Sequence, residues 1–262
     1  MTQLATQLTF TINGIPSCAK DLPPTTTLLE YLRQAGYVGT KEGCGDGDCG
    51  ACTVAIIGQD AQGQPQYQAV NSCLIPIGAV AGRDVITAEG LANGQLHPVQ
   101  AAMVETGGSQ CGYCTPGFIM SLFAAYYDGS TAEDICIEGN LCRCTGYLPI
   151  RRAAQQLTGQ LAETTPDDHF SAELAQKTLT LPALSYAGSE QQFYRPTELA
   201  EALQLLQQHP DATLVAGATD LGLEMSWHRQ HYPVLVSLEA IEALKQIIQT
   251  DDSVEIGAAV PL

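Results

Sequence analysis

The chain has 262 residues, 45% hydrophobic and 15% charged, enough to bury one large core or two to three small ones without disulfide staples. Its formal net charge of −17, from 11 basic and 28 acidic residues, repels phosphate backbones and argues against nucleic acid as a partner. No apolar run approaches the ~18 residues that span a bilayer, and the N-terminus carries no basic and apolar secretory leader, so the expectation is a cytoplasmic protein with no membrane partner.

Residues 7–12, QLTFTI, alternate polar and apolar, and Asn13-Gly14 before IPSCAK predicts a type I′ hairpin. TTTLLEYLRQAG predicts a helix with a threonine cap, apolar Leu28, Leu29 and Leu32, and Gly36 as its stop. CTVAII, QAVNSCLIPI and DVITAEG predict short strands, giving a mixed α+β unit over residues 1–85. From 86 to 162 the pattern turns helical. HPVQAAMVETGG and CTPGFIMSLFAAYY come first, the second with Thr115 as cap and Pro116 in the first turn. STAEDICIEGN follows, offering Ser130 with Glu133 or Thr131 with Asp134 as capping pairs. With YLPIRRAAQQLTGQLA these predict four short helices in a small bundle. Residues 163–192 are polar without clear periodicity and predict a linker. A third pattern fills residues 193–262. It opens on YRPTELAEALQLLQQHP, a capped helix, then a strand ATLVA, a glycine-containing turn GATDLG, and more strand and helix.

Ten cysteines occur, and most are clustered. In a reducing cytosol disulfides do not persist, so clustered thiols point to metal or redox chemistry. GTKEGCGDGDCGACTV, residues 39–54, packs three cysteines and five glycines into sixteen positions. Cys44-x4-Cys49-x2-Cys52, with Cys73 further on, is the plant-type spacing for a [2Fe–2S] cluster. Three ligands so close together force the loop to wrap around its centre. Gly43, Gly45, Gly47 and Gly50 reach φ angles forbidden to other residues and let backbone N–H groups approach anionic sulfurs.

A second set, Cys111-x2-Cys114 and Cys142-x-Cys144, sits at two helix ends. It suits either another iron–sulfur cluster or a tetrahedral zinc, although Cys-x-Cys is tighter than zinc sites usually space their pairs. Cys18 and Cys136 lie in apolar-periodic stretches and read as packed core thiols. LVAGATDLG, Leu214 to Gly222, suits either an ordinary strand-to-helix turn or an anion held by amides at a helix N-terminus. The five histidines are scattered and suggest no hydrolytic site.

GTKEGCGDGDCGACTV, QCGYCTPGFIMS and NLCRCTGYLPI resemble the signature segments of the xanthine dehydrogenase family of molybdenum hydroxylases, and the likeness runs over roughly residues 5–160. The resemblance implies a β-grasp, ferredoxin-like domain (1–85) in which Cys44, Cys49, Cys52 and Cys73 bind one [2Fe–2S] cluster. It implies a four-helix domain (86–162) in which Cys111, Cys114, Cys142 and Cys144 bind the other. Gln110, beside Cys111, would contact the pterin of a molybdenum cofactor carried by a large partner subunit.

LVAGATDLGLEM, FYRPTELAEAL and LVSLEAIEALKQI resemble the opening of the family's α+β FAD-binding domain. On that likeness Leu214, Val215, Ala216, Gly217, Ala218, Thr219, Asp220, Leu221 and Gly222 line the FAD pyrophosphate. The sequence stops at IGAAVPL, well before the family's domain does, so a chain completing the FAD site is a further expected partner. The resemblance thus implies an oxidoreductase subunit without catalytic residues of its own. It would relay electrons from a partner's molybdenum centre through two clusters to FAD and then to NAD⁺ or oxygen, in purine catabolism. Two readings compete: the iron–sulfur subunit of a carbon monoxide- or aldehyde-oxidising molybdenum enzyme, and a zinc-stabilised interaction module.

Overall fold

Strands β1 (Gln7–Ile12) and β2 (Ile15–Lys20) form the expected hairpin. Asn13 and Gly14 at its tip take φ of 52° and 74°, the left-handed values a type I′ turn requires. The computed structural model describes residues 4–60, 63–128, 130, 134–163, 166–177 and 179–260. Helix α1 (Leu28–Gln34) opens on a capping box: the Thr27 hydroxyl accepts the Glu30 amide, and the Glu30 carboxylate accepts the Thr27 amide. Its buried Leu28, Leu29 and Leu32 are those expected from the pattern.

Strands β3 (Thr53–Gln59) and β4 (Pro65–Asn71), a short helix α2 (Ile77–Val80) and strand β5 (Asp84–Ile86) complete this unit. The sheet order is β2-β1-β5-β3-β4, with β1 and β5 parallel and the other pairs antiparallel. QAVNSCLIPI is not one strand. β4 stops at Asn71, and the carbonyls of Ser72 and Ile75 accept the Leu29 and Leu28 amides instead of extending the ladder. That detour delivers Cys73 beneath α1.

The helical region holds α3 (Pro98–Glu105), α4 (Thr115–Asp128) and α5 (Leu148–Glu163). Among the described residues the expected third helix, over STAEDICIEGN, is a single 3₁₀ turn, Ile135–Ile137; residues 131–133, part of both expected capping pairs, lie outside the described residues. The chain leaves the helical path there because Leu141 and Asn140 turn their amide groups to Cys49 and Gly50. The Thr115 hydroxyl bonds Ser109 at 2.9 Å.

Residues 163–192, expected as a linker, carry helix α6 (His169–Gln176), strand β6 (Leu184–Gly188) and the first residues of strand β7 (Gln191–Arg195). One buried aromatic, Phe170, seats α6 beside Tyr67 and Phe123. Within α6 only Leu174, one turn on, joins it, and two apolar positions in a polar stretch leave a weak periodic trace in sequence.

Helix α7 (Leu199–Gln208), strand β8 (Thr213–Val215), helix α8 (Thr219–Ser226), strand β9 (Val234–Ser237) and a ribbon of β10 (Ile247–Gln249) and β11 (Val254–Ile256) follow. α7 starts after Glu198 with no side-chain cap bond, so the expected cap is missing. The second sheet has the order β6-β7-β9-β8, antiparallel between β6 and β7 and parallel elsewhere.

The cores ignore the sequence divisions. Phe10, Ile12 and Val54 of the first sheet and Leu32 of α1 pack in one cluster with Tyr186, Phe193 and Leu235 of the second. A side-chain carbon on Gly78 would stand 2.6 Å from the Phe193 ring, so glycine is what lets α2 sit on β7. Ala55, Ile57 and Tyr67 of the first sheet pack with Met120 and Phe123 of α4. Cys136 joins the helical core, as expected of a packed thiol. Cys18 does not: it is exposed on the edge strand β2, where neighbouring Ala19 takes the inward position.

Candidate functional site

The first cysteine set is built from a loop and two strand ends. Cys44 and Cys49 lie on the glycine-rich loop, Cys52 just before β3 and Cys73 just after β4. The Cys44 amide donates to the Cys49 sulfur and the Cys49 amide to the Cys44 sulfur, each at 3.3 Å. Gly45, Gly47 and Gly50 take φ of 80°, 89° and 63°, and a side-chain carbon on Gly43 would stand 2.7 Å from the Cys49 sulfur. Cys52 and Cys73 are buried against Leu29. Their thiols are hydrogen-bonded to each other, and this bond pulls Cys52 down to about 7 while pushing Cys73 up, with burial adding to the rise at Cys73. The hydrogen bond between the two sulfurs favours the thiolate at Cys52, the form in which a cysteine binds a metal.

The second set comes from the loops before α4 and α5. Cys111 and Cys144 are exposed hydrogen-bond partners. Cys114 and Cys142 form the other pair, and burial followed by that bond pushes Cys114 up to about 12. Burial opposes ionisation of Cys142, but the Thr145 hydroxyl and amide, at 3.1 Å and 3.5 Å, outweigh it and draw Cys142 down. Gly112 and Gly146, with φ of 80° and 66°, turn the two loops toward each other.

The two-by-two grouping discriminates between metals. A zinc held by four cysteines needs all of them at one point, whereas a two-iron cluster takes two thiolates at each iron. Both donor sets therefore fit [2Fe–2S] clusters.

The two sets are tied together, which the sequence did not reveal. The Leu141 amide donates to the Cys49 carbonyl at 2.9 Å, and Leu141 precedes Cys142. The Asn140 side-chain amide donates to the Gly50 carbonyl at 3.0 Å. The Tyr113 hydroxyl, between Cys111 and Cys114, donates to the Glu42 carbonyl. A side-chain carbon on Gly117 would stand 2.0 Å from the Gly50 oxygen, so α4 touches the first loop directly. Gln110 is exposed beside Cys111.

The segment from Leu214 to Gly222 divides in three. Leu214 and Val215 end β8, Val215 inside the core. Gly217 and Ala218 turn with φ of 77° and 63°. Thr219, Asp220 and Leu221 begin α8, so the turn and helix start keep the geometry of an amide-lined anion seat. Gly222 faces elsewhere: a side-chain carbon there would stand 2.1 Å from the carbonyl oxygen of Leu74, next to Cys73. Its absence lets α8 press on the first cysteine set.

Comparison with known proteins agrees with this geometry. Residues 10–78 match the 2Fe-2S iron–sulfur cluster binding domain, 87–155 the [2Fe-2S] binding domain and 188–262 the FAD binding domain in molybdopterin dehydrogenase. Xanthine dehydrogenase 2 of Arabidopsis thaliana is 34% identical over 313 residues, covering 96% of this chain and 23% of its own length. Xanthine dehydrogenase/oxidase of Rattus norvegicus is 34% identical over 302 residues, covering 98% of this chain and 23% of its own. This chain therefore spans under a quarter of those relatives.

Among solved structures, quinoline 2-oxidoreductase from Pseudomonas putida matches with a TM-score of 0.51 at 32% identity, over 62% of this chain and 98% of that one. The aldehyde oxidoreductase of Desulfovibrio desulfuricans matches with a TM-score of 0.53 at 34% identity, over 61% of this chain and 17% of that one. Those two likenesses stop well short of this chain's length, whereas the dehydrogenases follow it through the flavin-domain residues that accompany the two iron–sulfur domains, and on that ground the chain belongs to the xanthine dehydrogenase family.

Proposed function

We propose that this chain is the electron-carrying part of a cytoplasmic molybdenum hydroxylase. It takes electrons singly from a molybdenum centre on a large partner subunit, where a purine is oxidised, and delivers them to FAD and then to NAD⁺ or oxygen. Cys44, Cys49, Cys52 and Cys73 hold one cluster and Cys111, Cys114, Cys142 and Cys144 the other. When bound, each cluster supplies one-electron storage at a potential that its surroundings set.

The observation that carries this reading is the link between the two sets: Leu141 N–H to Cys49 C=O at 2.9 Å, one peptide away from Cys142. Two separate stores would need no such tie, whereas a relay does. The exposed side, Cys111 and Cys144 with Gln110, suits the partner and its pterin. The buried side, Cys52 and Cys73, lies under Leu29 and against the helix that follows the proposed pyrophosphate seat. The amides of Ala216 to Asp220 would hold the pyrophosphate, Val215 and Leu221 supplying the packed support.

Iron and acid-labile sulfide analysis of anaerobically purified chain tests this. Cys52→Ser and Cys114→Ser should each lose roughly half the bound iron, and each should delete a different electron paramagnetic resonance signal. A colourless chain that binds zinc in place of iron would overturn the reading.

A further inference from the structure

Trp227 is the single tryptophan of the chain. It follows α8 directly, and its side chain is 59% exposed, so packing does not account for its position. What it makes are directed contacts with the first cysteine loop. The indole Nε1–H donates to the Cys44 carbonyl at 3.1 Å, and the neighbouring Ser226 hydroxyl donates to the Gly45 carbonyl at 2.6 Å. The ring covers Gly45, where a side-chain carbon would stand 3.3 Å from Nε1. The segment is fixed on both sides: Arg229 pairs with Glu30 of α1 at 2.5 Å, and Gly222 brings α8 onto the Leu74 carbonyl.

We propose that Trp227 is a positioning residue for the first iron–sulfur site, holding the Cys44–Gly45 turn closed and biasing that site toward its reduced form. The proposal rests on the cluster assignment given above. A reduced cluster carries one more negative charge than an oxidised one. A hydrogen bond donated to the carbonyl of a ligating cysteine draws electron density away from that peptide, which favours the added charge. The second site has contacts of its own: the Thr145 amide donates to the Cys142 sulfur at 3.5 Å and the Cys142 amide donates to the Tyr147 hydroxyl at 2.9 Å, so it serves as the internal control.

The test is a redox titration of the full chain carrying both clusters, followed by electron paramagnetic resonance, with Trp227→Phe against the unaltered chain. Phenylalanine keeps an aromatic ring and removes the donor. The expected result is a reduction equilibrium of the first cluster shifted about threefold toward the oxidised form, or ~28 mV at ~59 mV per tenfold, with the second cluster unmoved. A purely structural role would lower the melting temperature and leave the potential alone.

The lone indole gives an independent readout. Its fluorescence should be quenched when the first site is filled, stay quenched in Cys114→Ser and recover in Cys52→Ser. Superimposable titrations with both clusters present, or emission that does not recover in Cys52→Ser, overturn the proposal and leave the cluster assignment standing. A chain that takes up no iron overturns both.

Discussion

Gly50 carries two separate constraints. Its φ of 63° is left-handed, and an added side-chain carbon would meet the Gly139 carbonyl oxygen at 2.2 Å and the Asn140 amide nitrogen at 2.3 Å. Gly14 has a similar φ of 74° but nothing within 4 Å. Gly14→Ala should therefore lose only the backbone cost, ~1–2 kcal/mol. Gly50→Ala should lose clearly more, because the first cysteine loop must also part from the helical region. Urea midpoints of the two variants measure the difference.

At this scale the sequence was informative where the constraint is local. The spacing of Cys44, Cys49 and Cys52 and the glycines between them are dictated by one loop closing on one centre. The contacts of Gly50 with Asn140, of Leu141 with Cys49 and of Trp227 with Cys44 join distant stretches, and no periodicity or spacing encodes them. Cys18 failed for a related reason: alternation assigns a strand two faces but does not say that the strand lies at an edge.

Helix α6 shows how one element is secured by a chain of polar groups inside an aromatic cage. The His97 Nδ1 accepts the Val99 amide at 3.3 Å, so the neutral ring carries its proton on Nε2 and donates to the Tyr127 hydroxyl at 2.9 Å. Tyr127 in turn donates to Asp168 at 2.5 Å, and Asp168 caps α6 by accepting the Phe170 and Ser171 amides at 3.0 Å each. Burial holds His97 down at about 4, from an ordinary 6.5, against the opposing pull of Asp168. The unfolded chain thus binds a proton before the folded one does. Stability conferred by the neutral ring is complete above pH 6.5 and is lost as pH falls from 6.5 to 4, a loss on the order of 3 kcal/mol. Burial opposes ionisation of Asp168, yet bonds from Tyr127 and Ser171 keep its carboxyl below the ordinary 3.8, so it stays ionised through that window. Melting temperatures across this range should fall steeply for the unaltered chain and more gently for His97→Gln. Almost none of this is legible in the sequence, because the stretches that carry His97 and Asp168 predict only a plain helix start and a linker.

Across the whole molecule, one buried arginine joins the first sheet unit to the second. Arg195 is 1% exposed and donates to the carbonyls of Ala81 at 2.8 Å and Pro182 at 3.1 Å. Glu239 faces it at 3.5 Å and pairs with Arg83 at 2.5 Å. Removing the carboxylate strands a buried cation, so Glu239→Ala should cost ~3 kcal/mol or more. Because Leu8 to Val85 and Tyr186 to Leu235 share one core, the loss should shift a single cooperative transition. Tryptophan emission and far-ultraviolet circular dichroism should move together in urea, and separated midpoints would show that the two units melt apart.

That shared core also has a consequence for synthesis on the ribosome. Phe10, Leu32 and Val85 emerge early, but their apolar partners Tyr186, Phe193 and Leu235 are translated a hundred residues or more later. A nascent chain halted near residue 160 has both cysteine sets in hand and an oily flank still bare, the kind of surface that holdase chaperones bind.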